Sequence, residues 1–379
     1  MTLLALVACG DDDGSTTATT AGGATTTAGG TGTTAAGSAE VPAELADMYA
    51  FAQAETPNVT LDVLQAACDE GEVSVSLPNL PEGELIKDEF EKVFPCITAD
   101  VVVLADDDSL ARFLAGVDAG DPLDIYSNGS EITMRDQVFA EDLLAEYTPS
   151  GADQFPNVVE PGYFYPLAFV AQGVVYNTGS ITPDMVEPIK TWKDVALMTG
   201  PAWEGKKLGM VDPHGAGGGS YVVAYVLYKE LGADKLAEVL NYLEVTVYEG
   251  SGAAVDALVA GELDVLLAND LNALRAHDEG APVQVHYPEP RSGTRSVMGI
   301  VKGATHPNAA ILFEEYILSK PGQMLFPEHF GTQAARSEVP DTRPSAQEDW
   351  YVDPVEYYEF DLDDMAAAYE QVVAPFPNA

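Results

Sequence analysis

Apolar and polar positions along the chain switch repeatedly between a period of two and a helical period from residue 58 onward. Such alternation is typical of a parallel sheet whose strands are joined by crossover helices. The pattern therefore predicts an α/β lobe. Its expected elements are a helix over 60–69, a strand over 71–77, a helix over 83–94, a strand over 99–105, a helix over 108–120 and a strand over 123–127.

A second series of the same kind begins at residue 173 and predicts another α/β region. Pro307 fits the first turn of its last helix, where a missing N–H costs nothing. From residue 345 the chain is polar, aromatic and irregular, and we expect it to wrap a lobe. The expected elements are strands at 173–179, 206–212, 261–270 and 295–302, and helices at 191–197, 218–231, 233–244 and 306–319.

The composition is strongly acidic, and this excludes one class of partner. The chain has 379 residues, 46% of them hydrophobic, with 61 acidic and 17 basic side chains and a formal net charge of −44. Nucleic-acid binding requires clustered Lys and Arg, so no nucleic-acid partner is expected. The acidity fits either solubility in a salty exterior or attraction of a cationic ligand. No apolar run reaches 18 residues, so no membrane span is predicted.

The first 57 residues predict export and tethering. Residues 1–9 form a short apolar run ending in Cys9, as a lipoprotein signal does, and Cys9 is the expected lipidation site. Residues 14–38 contain only Gly, Ser, Thr and Ala, which offer too little apolar surface to fold. We therefore expect residues 10–57 to be a disordered tether, anchored at the outer face of the cytoplasmic membrane.

Two further cysteines, Cys68 and Cys96, remain after Cys9. Each follows a predicted helix at the same edge of the first lobe, and an exported compartment favours a disulfide between them. Two free buried thiols are the alternative. A bridge closing a loop of this length is expected to stabilise the fold by about 3 to 4 kcal/mol.

Seven phrases occur in order along the chain: GEVSVS, EFEKVFPCITADVVV, AGDPLDIYSNG, GVVYNTGSI, TWKDVA with WEGKKLGMVDP, AGELDVLLAND and VKGATHPNAAILFEEYILSKPGQ. Together they resemble the extracellular solute-binding proteins of ABC importers, the group that includes iron(III), polyamine, thiamine and phosphonate binders. The resemblance implies a two-lobed α/β fold of the type II periplasmic-binding-protein class, with two crossing strands as the hinge. It places the crossovers near residues 174–177 and 299–301, with Tyr176 and Asn177 as hinge residues. The implied parts are lobe 1 (58–173 and 300–345), lobe 2 (174–299) and a C-terminal wrap (346–379).

The resemblance also bears on the ligand. Iron(III) binders of this family carry two adjacent tyrosines where this chain has Leu271 and Asn272, so their metal site is absent and neither metal nor cofactor is expected. Polar groups at helix starts and two arginines instead favour a small organic anion, such as a phosphonate, phosphate ester or carboxylate. The candidate ligand residues are Ser127, Asn128, Ser130, Gly218, Gly219, Ser220, Asn269, Asp270, Asn272, Arg291 and Arg295.

Other functions stay open at this point. Asp270 suits a cationic amine, as in polyamine binders, and an iron site of another composition is a further alternative. A secreted enzyme is disfavoured because no HExxH or GxSxG pattern occurs. A structural surface lipoprotein is disfavoured because the chain has no repeats. We expect a monomeric, non-enzymatic receptor that delivers its solute to an ABC permease and its ATPase.

Overall fold

The computed structural model of the protein describes residues 41–77, 83–104, 106–156, 158–214, 219–351 and 358–377. Cys9 and the proposed tether up to residue 40 lie outside them. In the first half of the chain, strands alternate with helices as the sequence pattern predicts, and the first three strands pair in parallel while the fourth is antiparallel to its neighbours. The elements are α1 (Ala46–Glu55), α2 (Leu61–Glu70), β1 (Glu72–Leu77), α3 (Gly83–Val93), β2 (Thr98–Val103), α4 (Asp106–Ala119), β3 (Ile125–Asn128), α5 (Glu131–Thr133) and β4 (Tyr165–Asn177).

The second half continues the alternation and ends in a helix. Short 3-10 helices at Trp192–Thr199 and Pro201–Trp203 replace the predicted helix after residue 191. The elements are α6 (Pro183–Val186), β5 (Leu208–Val211), α7 (Gly219–Leu231), α8 (Ala233–Tyr242), β6 (Thr246–Tyr248), α9 (Ser251–Val259), β7 (Val265–Asn269), α10 (Leu271–Asp278), β8 (Val283–His286), β9 (Gly293–Ile300), α11 (Pro307–Leu318), α12 (Lys320–Leu325), β10 (Gln333–Ala334) and α13 (Leu362–Val373).

The strands form two lobes that share β4. Lobe 1 has the order β2-β1-β3-β9-β4, and lobe 2 continues from β4 through β7 and β5 to β6. Strand β4 pairs with β9 up to Ala171 and with β7 from Gln172 onward. The chain returns to lobe 1 between the end of β8 and Gly293, where β9 begins.

These pairings correct the predicted crossover positions. Residues 174–177 lie wholly inside lobe 2, because they pair with β7 and β8. Gly299 and Ile300 lie inside lobe 1, because they pair with β3. Apart from Gln172, strand β4 is apolar on both sides of its crossover, so the sequence pattern has no boundary there.

Two further expectations require correction. Residues 43–55 do not belong to a tether, since they are helical and bury Leu45, Met48 and Ala52 in the core of lobe 1. Within the C-terminal region, residues Leu362–Val373 are helical rather than irregular. Helix α13 buries Met365 and Val372 in the core of lobe 2.

Cys68 and Cys96 form a disulfide in the structure, joining the end of α2 to the turn after α3. Their side chains pack against the core of lobe 1. Within the described ranges, no helix combines the length and apolar character needed to cross a membrane.

Candidate ligand-binding site

Polar side chains meet where β4 passes from one lobe to the other. Gln172 is fully buried, and it lies directly opposite Asn269, the last residue of β7. Thr294, on β9, is opposite Val170 and 8% exposed. Three neighbouring strands therefore each bring one neutral polar residue to the junction.

These side chains surround the first residue of α7. A β-carbon placed on Gly219 would lie 3.1 Å from Gln172 Nε2, 3.5 Å from Asn269 Nδ2 and 3.6 Å from Thr294 Oγ1. Any side chain at position 219 would therefore occupy the space between the amides and the helix. We call Gln172, Asn269, Thr294 and the start of α7 the α7 cluster.

The α7 cluster contains unused hydrogen-bonding capacity. Within the described part of the chain, neither Nε2 nor Oε1 of Gln172 has a partner, and Asn269 Oδ1 has none either. Ser292, whose carbonyl accepts from the Gln172 N–H at 2.7 Å, is also buried, and its Oγ has no partner among the described residues. Leaving a buried polar group without a partner costs about 1 to 3 kcal/mol, so a cluster of them is unusual in a purely structural region.

The start of α7 adds donors to this cluster. The first four N–H groups of a helix have no acceptor within the helix, and the helix dipole places partial positive charge at this end. The 13-residue α7 begins at Gly219. Together the amide groups, the Thr294 hydroxyl and the helix N–H groups suit a ligand group that is anionic and also carries a donor.

Two cavities lie between lobe 1 and the C-terminal segment. One, of about 490 Å³, is lined by Glu131 and Arg295 of lobe 1 and by Tyr358 and Phe360 of the C-terminal segment. The other, of about 400 Å³, lies between residues after Ser130 and helices α7 and α13. Both volumes fall in the range of small-molecule sites.

The predicted lobe 1 residues form their hydrogen bonds within lobe 1. Ser127 Oγ donates to the Ser76 carbonyl at 2.5 Å, and Asn128 Nδ2 donates to the Tyr126 hydroxyl. Ser130 caps α5 by accepting from Thr133 N, while its own N–H donates to Asn128 Oδ1. All three predicted residues are at most 1% exposed, so they shape the end of β3 rather than offer free side chains.

Asp270 is engaged inside lobe 2. Its Oδ1 accepts from Ala171 N at 3.1 Å and its Oδ2 from the Tyr287 hydroxyl at 2.8 Å. Burial raises the pKa of this carboxyl, and the nearby charge of Arg343 opposes that rise. Arg291 is 2% exposed and its guanidinium lies 3.9 Å from the centre of the Tyr287 ring. The carboxylate proposed for an amine ligand is therefore part of the lobe interior.

Arg295 does line the cleft, but it already has an anionic partner. Its Nη1 lies 3.0 Å from Glu131 Oε1, and the Glu131 side chain is 7% exposed. Burial raises the pKa of Glu131, and Arg295 opposes this rise. Arg295 also lines both the cavity of about 490 Å³ and a smaller one of about 260 Å³. Arg295 therefore faces the cleft as one half of an ion pair rather than as a free cation.

Of the remaining predicted residues, some lie at the start of α7 and others form hydrogen bonds within lobe 2. Gly219 and Ser220 open α7, and Gly218 lies outside the described residues. Asn272 Nδ2 donates to Ser251 Oγ at 2.7 Å, which ties α10 to α9. The side chains of Tyr176 and Asn177 bond to Gln284 and to the Leu258 carbonyl, within lobe 2.

Sequence reasoning missed Gln172 and Thr294. A signal for Gln172 is present: it is the one side-chain amide in the otherwise apolar stretch PLAFVAQGVV of β4. Thr294 has no such signal, because it lies among Ser, Thr and Arg residues in SGTRS.

Comparison with known proteins decides the family. A family model described as bacterial extracellular solute-binding protein matches residues 86–331. The chain belongs to this family. No curated protein sequence matches it significantly.

Solved structures of solute-binding proteins share the fold. Iron-bound HitA from Pseudomonas aeruginosa matches with a TM-score of 0.62 and 18% identity, covering 79% of this chain and 99% of HitA. AfuA from Actinobacillus pleuropneumoniae, with fructose-6-phosphate bound, matches at 0.61 and 17%, covering 80% and 95%. Trichodesmium IdiA (FutA), with iron and citrate, matches at 0.63 and 16%, covering 80% and 98%. This solute-binding protein therefore has the two-lobed periplasmic-binding-protein fold, and its family places it outside the cytoplasm.

Proposed function

We propose that this solute-binding protein captures a small organic anion in the cleft between its lobes and delivers it to an ABC importer. The observation that carries the proposal is Gln172, a fully buried amide with no partner among the described residues, next to the start of α7. The lobes meet there, so closing on a ligand would complete its hydrogen bonds. A phosphonate, a phosphate ester or a carboxylate with an adjacent hydroxyl fits these groups.

The chemistry of the α7 cluster favours an anion over the two cationic alternatives. Amides and a hydroxyl are neutral ligands, whereas iron(III) and ammonium groups are held mainly by anionic oxygens or aromatic rings. The carboxylate of Asp270, which an amine would need, is bonded to Ala171 and Tyr287. AfuA, whose structure contains fructose-6-phosphate, is a precedent for an organic anion in this fold.

A binding experiment tests the proposal. Phosphonates, phosphate esters, carboxylates, spermidine and ferric citrate are titrated into the protein by isothermal calorimetry. We expect an anion to bind. Gln172→Ala should weaken its binding about 5- to 150-fold, which corresponds to the roughly 1 to 3 kcal/mol of lost buried hydrogen bonds. Gln284→Ala is the control, because that amide accepts from Tyr176 away from the cluster. Tight spermidine binding with no anion bound would refute the proposal.

We further propose that the receptor is a monomer tethered by a lipid on Cys9. The support is the apolar run before Cys9 and the Gly, Ser, Thr and Ala stretch over 14–38. Feeding expressing cells a clickable palmitate analogue tests it. We expect label in the wild type and none in Cys9→Ser; an unlabelled wild-type protein would contradict the anchor.

A further inference from the structure

A cavity of about 260 Å³ lies beside strands β4, β9 and β10 of lobe 1. Its lining includes Phe169, Arg295 and Arg336, and we call it the Arg295 cavity. On β9, Arg295 is adjacent to Thr294, so the two side chains point to opposite faces of the sheet. On β4, Phe169 and Gln172 are three residues apart and are likewise opposed. Thr294 and Gln172 face the start of α7, so the Arg295 cavity is separate from the α7 cluster.

The Arg295 cavity differs in charge from the two larger cavities. The described residues that line it include Arg295 and Arg336 but neither Asp nor Glu. By contrast, Glu131 and Glu359 line the cavity of about 490 Å³, and Asp136 lines the one of about 400 Å³. In a chain with 61 acidic and 17 basic side chains, a lining with cations alone favours an anionic occupant.

Arg295 has one edge of its guanidinium group available for such an occupant. Its Nη1 donates to both carboxylate oxygens of Glu131, at 3.0 and 3.1 Å. Among the described residues, its Nε and Nη2 have no hydrogen-bond acceptor. These two nitrogens form the edge that binds a carboxylate through two parallel hydrogen bonds. Arg295 can therefore hold a second anion while its pair with Glu131 stays intact.

Arg336 adds a second cation to the lining, held in a fixed position. It is 9% exposed, and its Nε donates to Glu338 at 2.7 Å while its Nη1 donates to the Leu318 carbonyl at 3.0 Å. Its charge therefore contributes to the field in the cavity without offering a bidentate edge. Much of the remaining wall is apolar and is formed by Pro156, Pro166, Phe169 and Val339.

We propose that the Arg295 cavity binds a small organic carboxylate, separately from the solute in the α7 cluster. The carboxylate accepts from Nε and Nη2 of Arg295, and the apolar body of the molecule lies against Phe169 and the prolines. An apolar cavity of about 150 Å³ is enough to hold benzene, so one of about 260 Å³ has room for an aromatic carboxylate. The inference concerns a second ligand and goes beyond the function proposed above.

The test uses benzoate and its neutral analogue benzamide, titrated into the protein by isothermal calorimetry. We expect benzoate to bind the wild type at least about tenfold more tightly than benzamide, because bonds to the guanidinium are charge-assisted. Arg295→Lys keeps a cation beside Glu131 but lacks the two parallel donors, so it should weaken benzoate binding about tenfold. Arg135→Lys is the matched control, since Arg135 bonds to Asp136 and is not part of this lining.

A second substitution tests the cavity without changing Arg295 or Glu131. Ser337 is exposed and lines the cavity, so Ser337→Phe should fill it and weaken benzoate binding about tenfold. Thr182→Phe is the control, because Thr182 is exposed on lobe 2 and caps no helix with its side chain. Circular dichroism confirms that each variant is folded.

The outcomes separate this proposal from the function proposed above. Benzoate binding that survives Gln172→Ala but is weakened by Arg295→Lys and Ser337→Phe supports the Arg295 cavity, even if no anion depends on Gln172. Benzoate binding that depends on Gln172 instead would place the carboxylate in the α7 cluster and overturn the second site. No benzoate binding to the wild type, or equal binding of benzoate and benzamide, also overturns it.

Discussion

Asn269 and Asp270 are adjacent at the end of β7, yet their surroundings are opposite. Both carboxylate oxygens of Asp270 accept hydrogen bonds, and Arg343 and Arg291 lie close enough to stabilise its charge. Asn269 Oδ1 has no partner among the described residues, and neither has the facing amide of Gln172. A buried polar group whose hydrogen bonds are all satisfied stabilises the fold. A buried polar group without partners in a cleft indicates where a ligand supplies the missing hydrogen bonds.

The largest loss of stability is expected when Asp270, whose two carboxylate oxygens both accept hydrogen bonds, is replaced. Asp270→Ala leaves Tyr287 without its acceptor and Arg343 and Arg291 without a nearby anion, and loss of one partner of a buried charge network costs about 3 to 5 kcal/mol. Urea unfolding followed by circular dichroism measures it. Asn272→Ala is the control, because it removes one hydrogen bond, worth about 1 kcal/mol. Equal losses in the two variants would mean that Asp270 is not a structural centre.

Replacing Gln172, whose amide has no partner among the described residues, should change the free energy of unfolding in the opposite direction. Gln172→Leu removes an amide that lacks partners, so we expect the ligand-free protein to gain about 1 to 2 kcal/mol while anion binding is lost. The same urea unfolding, combined with calorimetric titration, measures both quantities.

Gln323→Leu is the matched control for this substitution. Gln323 is also fully buried, but its amide donates to the Leu167 carbonyl and accepts from Ala335 N. We expect this variant to be destabilised by about 1 to 3 kcal/mol, because its former partners are left unsatisfied. If both glutamine variants are destabilised alike, Gln172 is an ordinary structural amide.

The sequence predicts the alternation of strands and helices well because burial imposes a period on each element. Residues 72–77 and 98–103 are strands where the pattern expects them. Helix α1 escaped prediction because its apolar residues are spread around the helix, leaving no clear stripe in MYAFAQAE. Helix α13 was missed although its signal is present: Leu362, Met365, Ala368 and Val372 recur at helical spacing after the N-cap Asp361.

The candidate site was predictable only in part, for a different reason. Glycine and serine at the start of a helix are visible in sequence, and so Gly219 and Ser220 were found. Whether a polar residue such as Asp270 or Asn269 faces the cleft depends on strand register, and adjacent residues of a strand point to opposite faces. The pairing of Gln172 with Asn269 across β4 and β7 sets that register, and it joins positions 97 residues apart.

The smallest effect on stability is expected for the hydrogen-bonded group of His306, Asp124 and Glu72, which is partly exposed. Unlike the effect of Asp270, it should depend on pH. His306 lies 3.0 Å from Asp124 and 3.2 Å from Glu72 through its two ring nitrogens. Burial alone would lower the pKa of His306, but hydrogen bonding to Asp124 and the charges of Asp124, Glu72 and Glu70 raise it. The protonated ring therefore stabilises the folded state below the ordinary histidine pKa, and this contribution is lost as pH rises through the raised value.

We therefore expect His306→Gln to be less stable than the wild type at pH 6, by under about 1 kcal/mol because the ring is partly exposed, and equally stable at pH 9. Urea unfolding at both pH values measures the difference. Glu72→Gln should remove part of it, since Glu72 is the more exposed partner, and high salt should weaken what remains. The pH 6 difference should stay well below that for Asp270→Ala, because solvent reaches His306 and not Asp270. A difference that persists unchanged at pH 9 would show that His306 acts through packing rather than charge.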